Sequence, residues 1–442
     1  MPLLQSIEGC LEAGIGDAGL PTASLDRYLE RLKPRLDGLR EAHATGSLPL
    51  LRVPEWREDI AAARAALAKL SQGAKTVVFF GTGGSSLGGQ ALAQLGGWGI
   101  PGDEGNGGRG TRPRTRFYDN LDARTLERAL AGLDLATARF VIISKSGNTP
   151  ETLVQTMAAI EAVRAAGLAK RIPELFLGLT EPAAKDKSNG LRDLCAALSI
   201  PTLPHDPHIG GRFSVLTNVG LLPALARGLE VEALRQGARG VVEALLAGGE
   251  AKDFAPALGA ATAIGLAKER GVRVSVMWPY SDRLSRFAAW YLQLWGESLG
   301  KNGEGTTPVA ALGPVDQHSQ LQLYLDGAPQ HMITVVREVC AGSGTRVAPD
   351  LAKIAHADYL AGHTAGDLVA AQQRAIPDSL IAARRPVRTI DLERLDERAL
   401  GAMMMHFMLE TILAGALLGV DPFDQPAVES GKLIARRYLG QT

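Results

Sequence analysis

Cysteine is scarce: Cys10, Cys195 and Cys340 are the only three, an odd number and widely scattered. That excludes a disulfide framework and the paired spacing of a zinc site; buried, inert thiols and a reducing, cytoplasmic setting are expected. Net charge is missing too. The 47 basic and 47 acidic residues cancel, so no global field draws the chain to nucleic acid or to an anionic membrane. Any anion it binds must be held by a local site. The opening MPLLQSIEGCLEAGIGD has no basic start followed by an apolar core, and no signal peptide is expected. A clean apolar run of about 20 residues, the length of a membrane span, is also lacking. The most apolar late segment, residues 402–420, contains His406 and Glu410 and reads as a core helix.

What is present fits a globular enzyme. A composition of 46% hydrophobic and 21% charged residues argues against disorder, and 442 residues exceed one ordinary core. The first fifty residues read as helical and peripheral, with an amphipathic stretch over 24–42 starting at a Ser24 N-cap. From Lys75 the pattern becomes strand, glycine-rich turn, helix: TVVFF, then GTGGSSLGG, then ALAQL. It recurs as RFVIIS, KSGNTPE and TLVQTMAAIEAVRAAG, with ELFLGLT as a further strand. Such repetition predicts a parallel α/β layer. Residues 101–116, rich in Gly and Arg, read as a surface loop. A second α/β unit opens at VRVSVMW, continues into a helix near residues 282–296, and includes HMITVVREV as a strand. The last hundred residues read as mainly helical, with a tail helix after Pro426. No low-complexity linker separates the units, which predicts tight packing with a cleft between them.

Two turns carry candidate anion chemistry. GTGGSSLGG lets backbone N–H groups approach an anion at the start of a helix. The G-x-G-x-x-G spacing and acidic ribose partner of a dinucleotide loop are absent. SKSGNTPET is sharper: Ser144, Lys145, Ser146 and Thr149 crowd one strand-to-helix turn. The plain alternative is helix capping, but capping needs one such residue and four are present. His205 and His208 make an H-x-x-H pair without a third ligand nearby, so they read as loop residues.

Four further segments supply an arginine, a carboxylate, a histidine and a lysine. They are GGRFSVLTNVGLLP, WGESLGKNGEG, DQHSQLQLYLDG and PFDQPAVESGK. That inventory suits proton shuttling on a small anionic molecule. Wound as a helix, residues 282–300 put Leu284, Phe287, Tyr291 and Leu294 on one stripe, with Glu297 on its flank one turn after Gln293. Glu304, bracketed by glycines, is the nearest competing carboxylate.

The four segments resemble the glucose-6-phosphate isomerase family, and the two turns resemble its sugar isomerase (SIS) domains, from about residue 50 onward. The resemblance implies an α/β fold of two SIS-type αβα sandwich domains with parallel sheets, plus helical N- and C-terminal arms. The boundaries expected are 1–50 for the N-terminal arm, 51–235 and 236–410 for the two domains, and 411–442 for the C-terminal tail. It further implies that Ser144, Lys145, Ser146 and Thr149 hold a sugar phosphate, with Gly84, Ser85, Gly211, Gln293 and Gln425 along the sugar. Glu297 would be the base that moves a proton between C1 and C2, and Arg212 the cation for enediolate oxygens. His318 would open the ring, and Lys432 would assist at the ring oxygen. By the same resemblance the chain forms a homodimer in which His318 enters the partner's site. The route needs no metal and no cofactor. Rival readings are an enzyme acting on both glucose and mannose phosphates, a non-catalytic phosphosugar sensor, and a nicotinamide oxidoreductase. The sensor has no reason to carry all four catalytic groups.

Overall fold

The computed structural model describes residues 2–103, 112–185 and 187–440. In chain order the strands are β1 (Leu3–Ser6), β2 (Thr76–Phe80), β3 (Arg114–Tyr118), β4 (Ala138–Ile143), β5 (Phe176–Thr180), β6 (Thr202–Pro204), β7 (Val274–Pro279), β8 (Thr307–Ala310), β9 (His331–Glu338) and β10 (Val387–Leu392). The principal helices are α1 (Thr22–Thr45), α2 (Leu87–Leu95), α3 (Pro150–Ala165), α4 (Val231–Leu246), α5 (Ala255–Glu269), α6 (Ser285–Leu299), α7 (Glu397–Leu418) and α8 (Glu429–Gly440).

The first sheet is parallel in the order β3-β2-β4-β5-β6. Its inner strands β2, β4 and β5 are mainly apolar, without the alternation of a half-wet sheet, because helices cover both faces. Every residue of β4 and β5 is buried. Register aligns Val78 with Phe140 and Phe140 with Phe176. The rings of Phe80, Phe140 and Phe176 then stack at 5.7 and 4.7 Å between centroids. The chain leaves β2 for one side of the sheet and leaves β4 for the other. The crevice between their C-terminal ends is therefore a topological switch point, where open α/β sheets bind ligands. Both candidate turns, after β2 and after β4, open there.

The second sheet runs β1-β10-β9-β7-β8, parallel except for β1, which pairs antiparallel with β10. Two αβα layers therefore stand as expected, with three corrections. The N-terminal segment is not wholly helical or peripheral: β1 completes the second sheet, and α1 buries Leu25, Leu29, Leu32, Leu36 and Leu39. Its Ser24 does not cap. The helix starts at Thr22, and the Ser24 hydroxyl donates to Glu269 at 2.7 Å. Residues 101–116 are not all loop, since Arg114 opens β3; residues 104–111 lie outside the described residues. The last hundred residues also contain β10, whose alternation of apolar residues with Arg388 and Asp391 hid a strand.

Helix α7 is apolar on all sides because helices surround it. Its most hydrophobic stretch is 94% buried, as a core helix requires. The charges inside it are paired. Arg388 on β10 donates to both carboxylate oxygens of Glu410 at 2.8 Å, and His406 Nε2 lies 3.1 Å from Glu410. Helix α8 is the opposite case: it has no buried residue and carries Leu433, Ile434 and Tyr438 exposed.

Candidate active site

Gly84 and Gly211 bring the first layer's two motifs into contact. A Cβ on Gly84 would sit 2.3 Å from the Gly211 carbonyl carbon and 2.5 Å from the Arg212 nitrogen. Only glycine permits that approach. The turn Gly83–Ser85 is thereby locked against the turn Gly211–Leu216, which starts with the arginine.

Arg212 is 3% exposed. A buried guanidinium must have its donors satisfied, and here all five are. Nε donates to Ser298 Oγ at 2.8 Å, and Nη1 to Glu297 Oε2 at 3.2 Å and Gln425 Oε1 at 2.8 Å. Nη2 donates to the carbonyls of Pro422 and Asp424 at 2.5 and 2.9 Å. Burial pulls the guanidinium below its ordinary pKa, and Glu297 pushes back. The side chain packs over Phe213, and the Trp290 indole donates to the Arg212 carbonyl at 3.2 Å.

Glu297 stands near the end of α6, its side chain 36% exposed. Its second oxygen accepts from Gln293 Nε2 at 3.2 Å, the one-turn spacing expected from the helix. Gln293 Oε1 is buried and has no partner among the described residues, leaving an acceptor available beside Glu297. The rival carboxylate is elsewhere engaged: Glu304 accepts from Lys268 at 2.6 Å. Helix α6 is fixed to the first layer by Gln94, which donates to Ser285 Oγ at 2.9 Å and accepts from the Arg286 amide at 2.7 Å.

Ser144 is buried and donates to Thr149 Oγ1 at 3.1 Å. Thr149 occupies the N-cap of α3 but makes no side-chain capping bond. The capping alternative is thus not realised, and the positive end of α3 is left facing the turn. Ser146 is exposed, and its hydroxyl accepts from the Asn148 amide at 3.3 Å. Gly147, at φ +69°, would place a Cβ 1.7 Å from Asn189 Oδ1. Lys145 turns away from the hydroxyls and donates to the Pro207 carbonyl at 2.7 Å. Ser85 lines the neighbouring turn.

The structure therefore gathers Gly84, Ser85, Gly211, Arg212, Gln293, Glu297 and Gln425, and it assembles Ser144, Ser146 and Thr149 on the adjacent turn. It does not bring in His318 or Lys432. His318 is exposed after the turn Val315–Gln317, without a ring hydrogen bond to Arg212 or Glu297. Lys432 lies on the outlying α8 and donates to Glu429 at 2.7 Å. His205 is a buried loop residue, Nδ1 2.9 Å from the Asp206 carbonyl, and burial lowers its pKa. No metal-type cluster of three His, Cys, Asp or Glu occurs among the described residues. Sequence reading missed Ser298, which sits inside the ESLGK segment, and Asn189, whose place before a helix marks an N-cap. A cavity of about 620 Å³ at the N-terminal ends of β4 and β5 lies at the wrong end of the sheet for this chemistry. Its Arg139 is occupied by the carbonyls of Leu70, Gln72, Ala136 and Ala138.

The family model for phosphoglucose isomerase matches residues 58–442. The chain belongs to the phosphoglucose isomerase family. As a member it is an aldose–ketose isomerase. It is 36% identical over 420 residues to a glucose-6-phosphate isomerase of Rubrobacter xylanophilus, covering 94% of each chain. One from Carboxydothermus hydrogenoformans is 34% identical over 437 residues, covering 96% of this chain and 91% of that one. Among solved structures, a hypothetical protein of Thermus thermophilus superposes with a TM-score of 0.82 at 28% identity, covering 99% of both chains. A Chlamydia trachomatis glucose-6-phosphate isomerase shares the fold, with a TM-score of 0.72 at 22% identity over 87% of this chain and 73% of that one.

Proposed function

We propose that the protein interconverts glucose 6-phosphate and fructose 6-phosphate through ring opening and a cis-enediol(ate). The observation that carries this reading is the Glu297–Arg212 pair held against the Gly84 turn. Moving a carbonyl between neighbouring carbons requires a base that removes one carbon-bound proton and returns it to the next carbon. Glu297 is that base: a half-exposed carboxylate whose two oxygens are oriented by Arg212 and Gln293. Arg212 supplies the fixed positive charge for the enediolate oxygens, and a preorganised cation lowers the barrier without reorganising during the reaction. Its Gln425 bond is the one a sugar oxygen replaces most readily, because Gln425 is exposed.

The phosphate sits at the turn after β4, held by the hydroxyls of Ser144, Ser146 and Thr149, the amides at the start of α3, and the Lys145 charge. Gly84, Ser85, Gly211 and Gln293 line the sugar. His318 and Lys432 serve ring opening. For both to act, α8 must move beyond Gln425, where the Arg212 contacts end, and a second copy of the chain must present His318, so the working form is a homodimer. Three free cysteines fit a cytoplasmic location. The route itself needs neither metal nor cofactor.

The test is a coupled assay on purified protein with glucose 6-phosphate and, separately, mannose 6-phosphate. Fructose 6-phosphate should form from the glucose ester. Equal formation from the mannose ester would establish the dual-specificity enzyme, and none from either would overturn the proposal.

A further inference from the structure

Behind the phosphate turn, Lys145 belongs to a charged cluster whose other members, Glu181 and Lys187, the mechanism above does not use. Glu181, which follows β5, is a carboxylate only 5% exposed. Its Oε2 accepts a hydrogen bond from Lys187, and its Oε1 lies 3.7 Å from the Lys145 ammonium. Its backbone N–H donates to the Lys145 carbonyl at 3.1 Å, and the Thr180 hydroxyl donates to the same carbonyl at 3.2 Å. Lys145 is thus gripped at both ends, while its ammonium reaches the Pro207 carbonyl in the segment leading to Arg212. A buried carboxylate shared by two ammonium groups is costly to assemble for stability alone, since an apolar replacement often does as well.

We propose that Glu181 is a positioning residue for phosphate recognition: it anchors Lys145 behind the phosphate turn. This rests on the phosphate reading given above. Burial lowers the Lys145 pKa; Glu181 and Asp206 raise it, and Lys187 lowers it. His205, buried and low in pKa itself, faces the same group. The two arms of the cluster therefore have opposite signs. Removing the Glu181 charge lets Lys145 lose its proton at lower pH, whereas removing the Lys187 charge keeps the proton on to higher pH.

The experiment measures kcat and KM for fructose 6-phosphate across pH, and competitive inhibition by inorganic phosphate. For Glu181→Gln we expect KM and the phosphate inhibition constant to rise about 5- to 10-fold, a factor of ten being about 1.4 kcal/mol. Turnover should stay within about twofold, because the atoms around Glu297 are untouched. The alkaline limb of kcat/KM should move to lower pH, and Glu181→Asp should restore it in part. Lys187→Met, at a half-exposed site, should move that limb to higher pH, and it provides the test if Glu181→Gln does not fold. An alkaline limb unmoved in the variants that fold overturns the proposal. Ser146→Ala with Thr149→Ala separates the two claims. If that pair leaves phosphate inhibition unchanged, the phosphate reading fails; if it weakens inhibition and Glu181→Gln does not, only the Glu181 role fails.

Discussion

Arg212 holds Glu297 by a single Nη1–Oε2 contact of 3.2 Å, and the same nitrogen holds Gln425 at 2.8 Å. One buried guanidinium therefore orients Glu297 of the second layer from a turn of the first, and it ties down the segment leading to α8. Because all five of its donors are engaged, its geometry is fixed before any substrate arrives.

That geometry predicts the effect of Arg212→Lys. A lysine keeps the charge but cannot reach Ser298, Glu297, Gln425 and two carbonyls together. Turnover should fall at least about 10²-fold, the usual loss for one missing oxyanion donor. The thermal midpoint should fall as well, since buried acceptors lose their partners. Steady-state kinetics and a melting curve on one preparation check both.

At the phosphate turn, Ser146→Ala with Thr149→Ala should raise KM more than it lowers kcat. The expected cost is on the order of 1–3 kcal/mol for hydrogen bonds to a bound charge. Thr149 makes no capping bond, so any fall in melting temperature should be modest and come from the buried Ser144 hydroxyl, which loses its acceptor. A large loss of stability with unchanged KM would mean that the pair serves the helix instead.

How much of this was legible in the sequence depended on what each signal measures. β2, β4, β5, β7 and β9 were readable because strands buried on both faces are mainly apolar runs. β1, β6 and β8 were not, because three- or four-residue edge strands carry no such run, and charged residues break β3 (Arg114, Arg116) and β10 (Arg388, Asp391). Glu297 beside Gln293 followed from helical spacing alone. The Arg212 network did not, because its partners Ser298 and Gln425 are 86 and 213 residues away. His318 and Lys432 came only from resemblance, and no contact in a single chain gathers them.

The core offers a pH test. Burial raises the Glu410 pKa, but Arg388 and His406 overcome it and leave the carboxyl below its ordinary 4.5. A depressed folded-state pKa stabilises above the unfolded value and loses that contribution as pH falls through the folded one. Wild-type stability should therefore decline below about pH 4.5 in part through this group. Glu410→Gln strands Arg388 and should cost about 3–5 kcal/mol near neutral pH. Its stability should then depend less on pH in the acid range, as denaturant titrations at several pH values would reveal.

If His318 and Lys432 serve ring opening, His318→Ala should slow conversion of the closed pyranose far more than that of an open-chain analogue. If His318 also works from a second copy, mixing inactive Glu297→Gln and His318→Ala chains should restore partial activity. A heterodimer then contains one site with both residues intact. Verified subunit exchange without recovery would rule out the shared site.

The central claim is that Glu297 carries the proton between carbons, and isomerisation in deuterated water tests it most directly. Fructose 6-phosphate is incubated with wild-type and Glu297→Gln protein, and deuterium at C2 of the glucose 6-phosphate formed is read by NMR. A carboxylate that exchanges with solvent during the enediol stage should place deuterium there, and Glu297→Gln should lower turnover at least about 10²-fold with little change in KM. Near-normal turnover by Glu297→Gln, with deuterium still entering C2, would contradict the account.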